Sequence, residues 1–283
     1  MKHTSFGGKL VILGFGSIAK GVLPLILRHI DMPQEKIEIV TSDLRDVEIA
    51  KTLGIRHTVL PLTRDNYAAE LSARLSTGDF LLNLSVDVSS VALVELCRDL
   101  GALYLDTCVE PWAGGYTDPA LSPSQRSNYA LRESALALKD NAGPTAVMTH
   151  GANPGLVSHF VKQALLNLAQ DLGMAVNMPS SRAAWATLAR DLGIKVIHIA
   201  ERDTQVAGNM PKQRGEFVNT WSIDGFTGEG CQPAELGWGS HEKALPPDGE
   251  RHSFGCDAAI YLMRPGAATR VRSWTPLEGP MQA

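Results

Sequence analysis

Apolar runs and helical spacings alternate through the first half of the chain. Residues 9–13 (KLVIL) form a short apolar run bounded by glycines, the pattern of a strand buried on both faces. Residues 17–29 follow with helical spacing; Pro24 inside them removes a helical hydrogen bond, which predicts a kink. The same succession repeats. Strands are predicted at 36–40, 57–60, 79–84, 103–106 and 145–149, with helices at 47–53, 67–75, 89–100 and 127–139 between them. Such a β-α-β-α rhythm predicts a parallel sheet with helices on both faces. Residues 111–125, with three prolines and two adjacent glycines, read as a surface loop. Pro154 then opens a long helix over 156–172, and a domain boundary is placed there. The second half changes style. A helix is predicted at 181–192, strands at 194–200 (IKVIHIA), 216–223 and 258–263, and a polar loop at 241–252. The predicted class is α/β: a Rossmann-type parallel sheet over residues 1–152, then an α+β substrate and dimerisation domain over 153–283.

Composition narrows the functional classes. The 283 residues are 44% apolar and 20% charged, which excludes a disordered chain. A net charge of −4 supplies no electrostatic footprint for nucleic acid. No apolar run reaches the ~18 residues of a membrane span. Residues 10–27 come nearest, but Gly14, Gly16, Lys20 and Pro24 interrupt them, and a signal peptide is not expected. The four cysteines lack CxxC spacing, so reduced thiols in a cytoplasmic protein are expected. The eight histidines lack metal spacing, and no metal is expected. A serine-hydrolase elbow is absent as well.

Gly14-Phe-Gly-Ser-Ile-Ala19 follows the first strand and opens the first helix. This is the G-x-G-x-x-A form of the dinucleotide fingerprint. Gly14 serves the tight turn, and Gly16 the approach of a pyrophosphate to the helix N-terminus, where Ser17 and Ile18 begin the first turn. Ala19 allows close helix–strand packing. Asp43 lies 24 positions beyond Ala19, near the interval expected for a carboxylate that binds the ribose hydroxyls. It would repel a 2′-phosphate, which favours NAD, although Arg45 stands close by. Asp43 can also be read as a helix N-cap. Ligands of open parallel sheets bind at the carboxyl ends of strands, which nominates Asn83, Leu84 and Ser85, and Asp106, Thr107 and Cys108.

With that loop followed by Asn83-Leu-Ser85, Leu105-Asp-Thr-Cys-Val-Glu-Pro-Trp112 and Thr149-His-Gly-Ala-Asn-Pro-Gly155, the chain resembles the bacterial homospermidine synthases of the saccharopine dehydrogenase group. Glu216-Phe-Val-Asn-Thr-Trp221 and Gly228-Glu-Gly-Cys231 carry the resemblance into the second half. It implies a two-domain, usually homodimeric enzyme that retains NAD and makes homospermidine from putrescine, alone or with spermidine. An aminobutyl group is transferred through an imine, with release of ammonia or diaminopropane. Members of the group are longer, so the second domain is expected to be incomplete relative to theirs.

A diamine carries two ammonium groups, and taking either from water without a partner is costly. The pocket therefore calls for carboxylates and π-faces. Glu110, four residues past the fifth strand, is the first candidate to bind an amine and take its proton. Asn153 is a candidate hydrogen-bond partner for the amine or imine, or the N-cap of the helix that follows. Glu201 at the end of IKVIHIA, Trp221 in a predicted strand, and Glu229 in a predicted glycine-flanked turn complete the set, with Glu235 ranked below them. Trp221 would hold an ammonium by cation–π attraction. Two alternatives stand beside this reading: a dehydrogenase of the saccharopine or carboxynorspermidine type, whose substrate carboxylates call for Arg or Lys clamps, and a non-catalytic NAD-binding protein.

Overall fold

The computed structural model describes residues 1–139, 143–201, 208–211, 213–216 and 221–270. A short parallel pair, β1 (Thr4–Ser5) with β3 (Ile30–Asp31), forms a separate two-stranded sheet. The main sheet comprises β2 (Leu10–Leu13), β4 (Ile37–Thr41), β5 (Arg56–Val59), β6 (Phe80–Asn83), β7 (Leu103–Asp106) and β8 (Ala146–Val147). The six strands run parallel in the order β5-β4-β2-β6-β7-β8.

The apolar run at β2 is explained by burial on both faces. Val11 and Leu13 pack with Leu81, Tyr104, Leu71, Leu93 and Cys97 on one side. Leu10 and Ile12 pack with Ile37, Ile39, Ala19, Leu23 and Ala50 on the other. The covering helices are α1 (Ser17–His29) and α2 (Val47–Thr52) on this second side, and α3 (Tyr67–Ser72) and α4 (Ser90–Leu100) on the first. Pro24 lies within α1. Strand order reverses between β2 and β6, and the carboxyl ends of neighbouring strands stand level there, with Leu13 opposite both Val40 and Asn83, and Asn83 opposite Asp106. Open parallel sheets place ligands at such a switch point.

The second half departs from expectation. Helices α6 (Leu156–Asp171) and α7 (Arg182–Asp191) pack around Leu165, Ala169 and Leu188, following α5 (Asn128–Ala137) of the first half. Residues 194–200 form no strand, and Val196 is 77% exposed. Their alternating apolar pattern marks a face that can be covered, but a strand also needs a ladder partner, and no described strand pairs with them. Of the strand expected at 216–223, residues 217–220 lie outside the described residues. Its end is the cap of a helix, α8 (Ile223–Cys231), because Ser222 accepts a hydrogen bond from the Gly225 amide. An antiparallel sheet is present, but of the expected strands only 258–263 enters it, as β11 (Ala259–Pro265); its partners are β9 (Pro233–Gly237), which was not expected, and β10 (Gly249–Arg251), which lies in the expected loop 241–252, in the order β10-β11-β9. Among the described residues no helix is long and apolar enough to cross a membrane.

This small sheet docks on α5. Glu235 of β9 accepts hydrogen bonds from the Asn128 and Tyr129 amides at 2.7 and 3.0 Å, taking up two donors of the helix's first turn. The Cys256 amide donates to the Tyr129 hydroxyl at 2.7 Å, and the His252 Nδ1 lies 2.8 Å from Ser124 Oγ. Glu235→Ala leaves both helix amides without their acceptor. A loss of about 1–3 kcal/mol in unfolding free energy is expected, measured by urea denaturation. An unchanged midpoint would show that water replaces the carboxylate at no cost.

Candidate functional site

The loop after β2 meets the requirements of an anion cradle. Gly14 has φ +82°, and a Cβ there would lie 2.8 Å from the Leu84 carbonyl oxygen and 2.9 Å from Ser85 Cα, so only glycine lets the turn pass the end of β6. Gly16 is the N-cap of α1, without a side-chain cap, and a Cβ there would meet nothing within 4 Å. The amides of Ser17, Ile18 and Ala19 therefore open the helix beneath free space, which suits a phosphate. Asp43 follows β4. The N-cap of α2 is Asp46, which removes that role from Asp43. The Asp43 carboxylate accepts from Arg45 Nε and a terminal nitrogen at 2.9 and 2.7 Å and from the Arg45 amide at 2.8 Å. These bonds hold it below the usual carboxylate range.

Asn83 and Asp106 differ from expectation. Only 2% and 0% exposed, their side chains offer no surface to a ligand and instead brace the edge from within. Asn83 accepts from Ser85 Oγ at 2.6 Å and donates to the Tyr104 hydroxyl, which donates to Asp106 at 2.7 Å. The other Asp106 oxygen accepts the Thr149 amide at 2.5 Å. This bond ties the segment after β8 to the end of β7. The turn that follows is tight. A Cβ on Gly155 would lie 2.4 Å from the Gly151 carbonyl oxygen at φ +129°, and Gly151 itself packs on the Thr107 backbone. Gly155 is the N-cap of α6, so Asn153 does not cap that helix; it lies exposed in the turn.

Glu110 is buried, 7% exposed, and its backbone is clamped on both sides by Ser90: the Glu110 amide donates to Ser90 Oγ at 3.0 Å, and the Ser90 amide donates to the Glu110 carbonyl at 2.9 Å. Tyr116, also buried, donates to Glu110 Oε2 at 3.2 Å. Burial pushes the Glu110 carboxyl up to about 7, opposed by the Tyr116 hydrogen bond and reinforced by Asp87, Glu229 and Asp106. These three neighbours are acidic.

Glu229 reaches this cluster from the last turn of α8, not from the flexible turn expected of its glycines. Its side chain stays exposed, yet desolvation raises its carboxyl above the usual range. Gly228 permits the approach, since a Cβ there would lie 3.3 Å from the Tyr116 ring. Trp221, 41% exposed, precedes the cap of the same helix and stacks edge-on against Phe226, 6.0 Å between centroids. It is a helix-foot residue and not part of a strand. Glu201 lies exposed past residues 194–200 and is not among the charges acting on Glu110. Tyr116, Tyr104 and Ser90 were not anticipated; a tyrosine directly after an adjacent glycine pair in a proline-rich segment carries no signal of burial.

Sheet order, glycine turn and open helix terminus define a dinucleotide-binding protein of the Rossmann class, with acidic side chains gathered around Glu110 just past the end of β7. Two family models match it: the saccharopine dehydrogenase NADP binding domain over residues 10–148, and the saccharopine dehydrogenase C-terminal domain over 151–279. The chain belongs to the saccharopine dehydrogenase family. It is 54% identical over 274 residues to a homospermidine synthase of Blastochloris viridis, covering 95% of this chain and 57% of that protein. Identity to a homospermidine synthase of Mesorhizobium japonicum is 49% over 279 residues, covering 96% and 57%. The crystal structure of the Legionella pneumophila homospermidine synthase in complex with NAD superposes with a TM-score of 0.83 at 45% identity, covering 97% of this chain and 57% of that one. The chain thus spans little more than half the length of these relatives.

Burial of Glu110 has a thermodynamic signature. Its folded-state value of about 7 lies above the ordinary 4.5, so between those values the native state holds the extra proton and stability falls as pH rises. The fall attributable to this residue is about 3 kcal/mol. In Glu110→Gln that component is absent, and unfolding free energies at pH 5 and pH 8 converge by this amount. An unaltered pH slope would place the Glu110 carboxyl in water.

Proposed function

We propose that this chain forms the cofactor-binding and amine-binding parts of a homospermidine synthase. The activity is transfer of an aminobutyl group from putrescine or spermidine to putrescine, with release of ammonia or diaminopropane. The carrying observation is the Glu110 cluster, a buried carboxyl whose charged neighbours Asp87, Glu229 and Asp106 are all acidic. Such a site repels carboxylate substrates and gains when an ammonium enters. This disfavours a saccharopine-type amino-acid substrate, which needs cationic clamps. High identity to homospermidine synthases supports the same reading.

Gly14, Gly16 and the first amides of α1 would hold the pyrophosphate of NAD, and Asp43 the adenosine ribose. Bound there, NAD would supply a hydride acceptor that returns the hydride within the same cycle. The protein's own residues do the rest. Glu110, poised near neutrality, takes a proton from the amine about to lose hydride, because only a neutral amine assists that loss. Glu229 neutralises an ammonium of the same or the incoming diamine. Trp221 walls the cleft with its indole face, a contact worth ~2 kcal/mol when desolvated. Asn153 hydrogen-bonds the amine or imine nitrogen, and the Asp106–Thr149 bond holds its turn against β7. Glu201 is assigned to the amine-binding rim, as an exposed carboxylate. The same reading takes the working protein to be a cytoplasmic homodimer with residues 1–152 and 153–283 as its two parts.

Labelled putrescine with a catalytic amount of NAD tests the activity by mass spectrometry. The expected products are homospermidine carrying the labelled four-carbon unit and one ammonia per transfer. NADH accumulating in step with product would instead establish a simple dehydrogenase. Asp43→Ala is expected to weaken NAD binding about tenfold by titration calorimetry, and an unchanged affinity would confine Asp43 to its turn with Arg45. Trp221→Ala should raise the putrescine KM more than Trp221→Phe, and equal effects would argue against the cation–π contact.

A further inference from the structure

We propose that Tyr116 is a positioning residue: its hydroxyl satisfies Glu110 in both protonation states, and its ring seats α8 beside the site through Gly228. The inference rests on the reading of Glu110 as the amine-facing carboxyl. Tyr116 lies in the proline-rich segment after β7, and its hydroxyl oxygen is 3.2 Å from Glu110 Oε2 and 3.4 Å from the Val109 carbonyl oxygen. A phenol has one proton to give and can also accept. When Glu110 is ionised, Tyr116 donates to the carboxylate. When Glu110 is protonated, its own O–H donates to the Tyr116 oxygen, and the tyrosine proton turns to the Val109 carbonyl. Neither state strands a buried polar group, so proton exchange at Glu110 escapes the cost that an orphaned donor or acceptor would impose.

The groups that act on Glu110 come from four directions: Asp87 ahead of α4, Asp106 at the end of β7, Glu229 of α8, and Tyr116. Burial pushes up the thiol of Cys108, two residues before Glu110, and the Glu110 charge adds to the shift. Among these groups the Tyr116 hydrogen bond favours the ionised carboxyl, while burial and the acidic neighbours oppose it. The ring has a second use. A Cβ on Gly228 would lie 3.3 Å from Tyr116 Cδ2, so the helix rests on the ring at the residue before Glu229. One side chain thus touches the proton-accepting carboxyl and the helix that brings the second carboxyl to it.

The test is a pH titration of the full chain carrying 13C-labelled glutamate carboxyls, with Glu110→Gln to assign the resonance. Tyr116→Phe keeps the ring and removes the hydroxyl. The Glu110 midpoint is expected to rise by about one unit or more. The acid limb of kcat/KM for putrescine should move with it, leaving a loss of about tenfold below the midpoint and recovery above it. Gly228→Ala presses a methyl group on the ring and should move the midpoint in the same direction, which serves if Tyr116→Phe fails to fold. A Glu110 midpoint unmoved in a folded variant, or activity lowered equally at every pH, overturns the inference and leaves the polyamine reading standing. A midpoint that moves in a chain without putrescine turnover supports the role of Tyr116 and rejects the polyamine reading.

Discussion

A carboxyl group kept from water among other acids is costly to ionise, and Glu110 is held in that situation. A proton relieves it, and so does a cation. The free protein uses the proton, with the carboxyl poised near neutrality; an entering ammonium would take over the same task. The surrounding structure keeps the group from escaping to solvent. Ser90 grips its backbone from both sides, and Tyr116 closes over one oxygen. Under the proposed reading, stability is given up at this point so that a charged partner has something to gain, a trade expected where a fold carries chemistry.

The same economy runs along the sheet edge. Side chains that look like ligands in the sequence, Asn83 and Asp106, are sunk beneath the edge and hold other segments in place. What stays open at the edge is backbone: the amides of α1 and the glycine turn against the loop after β6. Backbone groups bring no side-chain freedom to be lost on binding, which suits a cofactor that must be held closely. The buried Tyr104–Asp106 hydrogen bond, at 2.7 Å, gives this arrangement a fixed floor.

How far the sequence could be read depended on how local the signal was. All six strands of the main sheet were legible: burial on both faces writes β2, β4 and β6 as compact apolar runs, and the strand–helix rhythm located the more exposed β5 and β8. The glycine loop was legible because its spacing and its mechanics coincide. Strand β9 was not: it begins at Pro233, carries Glu235, and exists only because Glu235 and Leu236 pair with Tyr261 and Ile260, more than twenty residues away. Residues 194–200 mislead in the opposite sense, having the alternation without a described partner strand. At the site, Glu110 and Glu229 were anticipated by chemistry, yet the helix that brings them near each other was read as strand and turn. Tyr116 was invisible, since its burial depends on α8, more than one hundred residues further along.

The clasp between Glu235 and α5 bears on the order in which the protein is made. Two amides of the first turn of α5 find their acceptor 107 and 106 residues downstream. Ribosomes extend a chain at about 5–20 residues per second. During synthesis that helix start therefore waits several seconds, solvated, until β9 emerges. The first domain is finished by the second, and a nascent chain halted between them would display an α5 whose opening turn is still held by water.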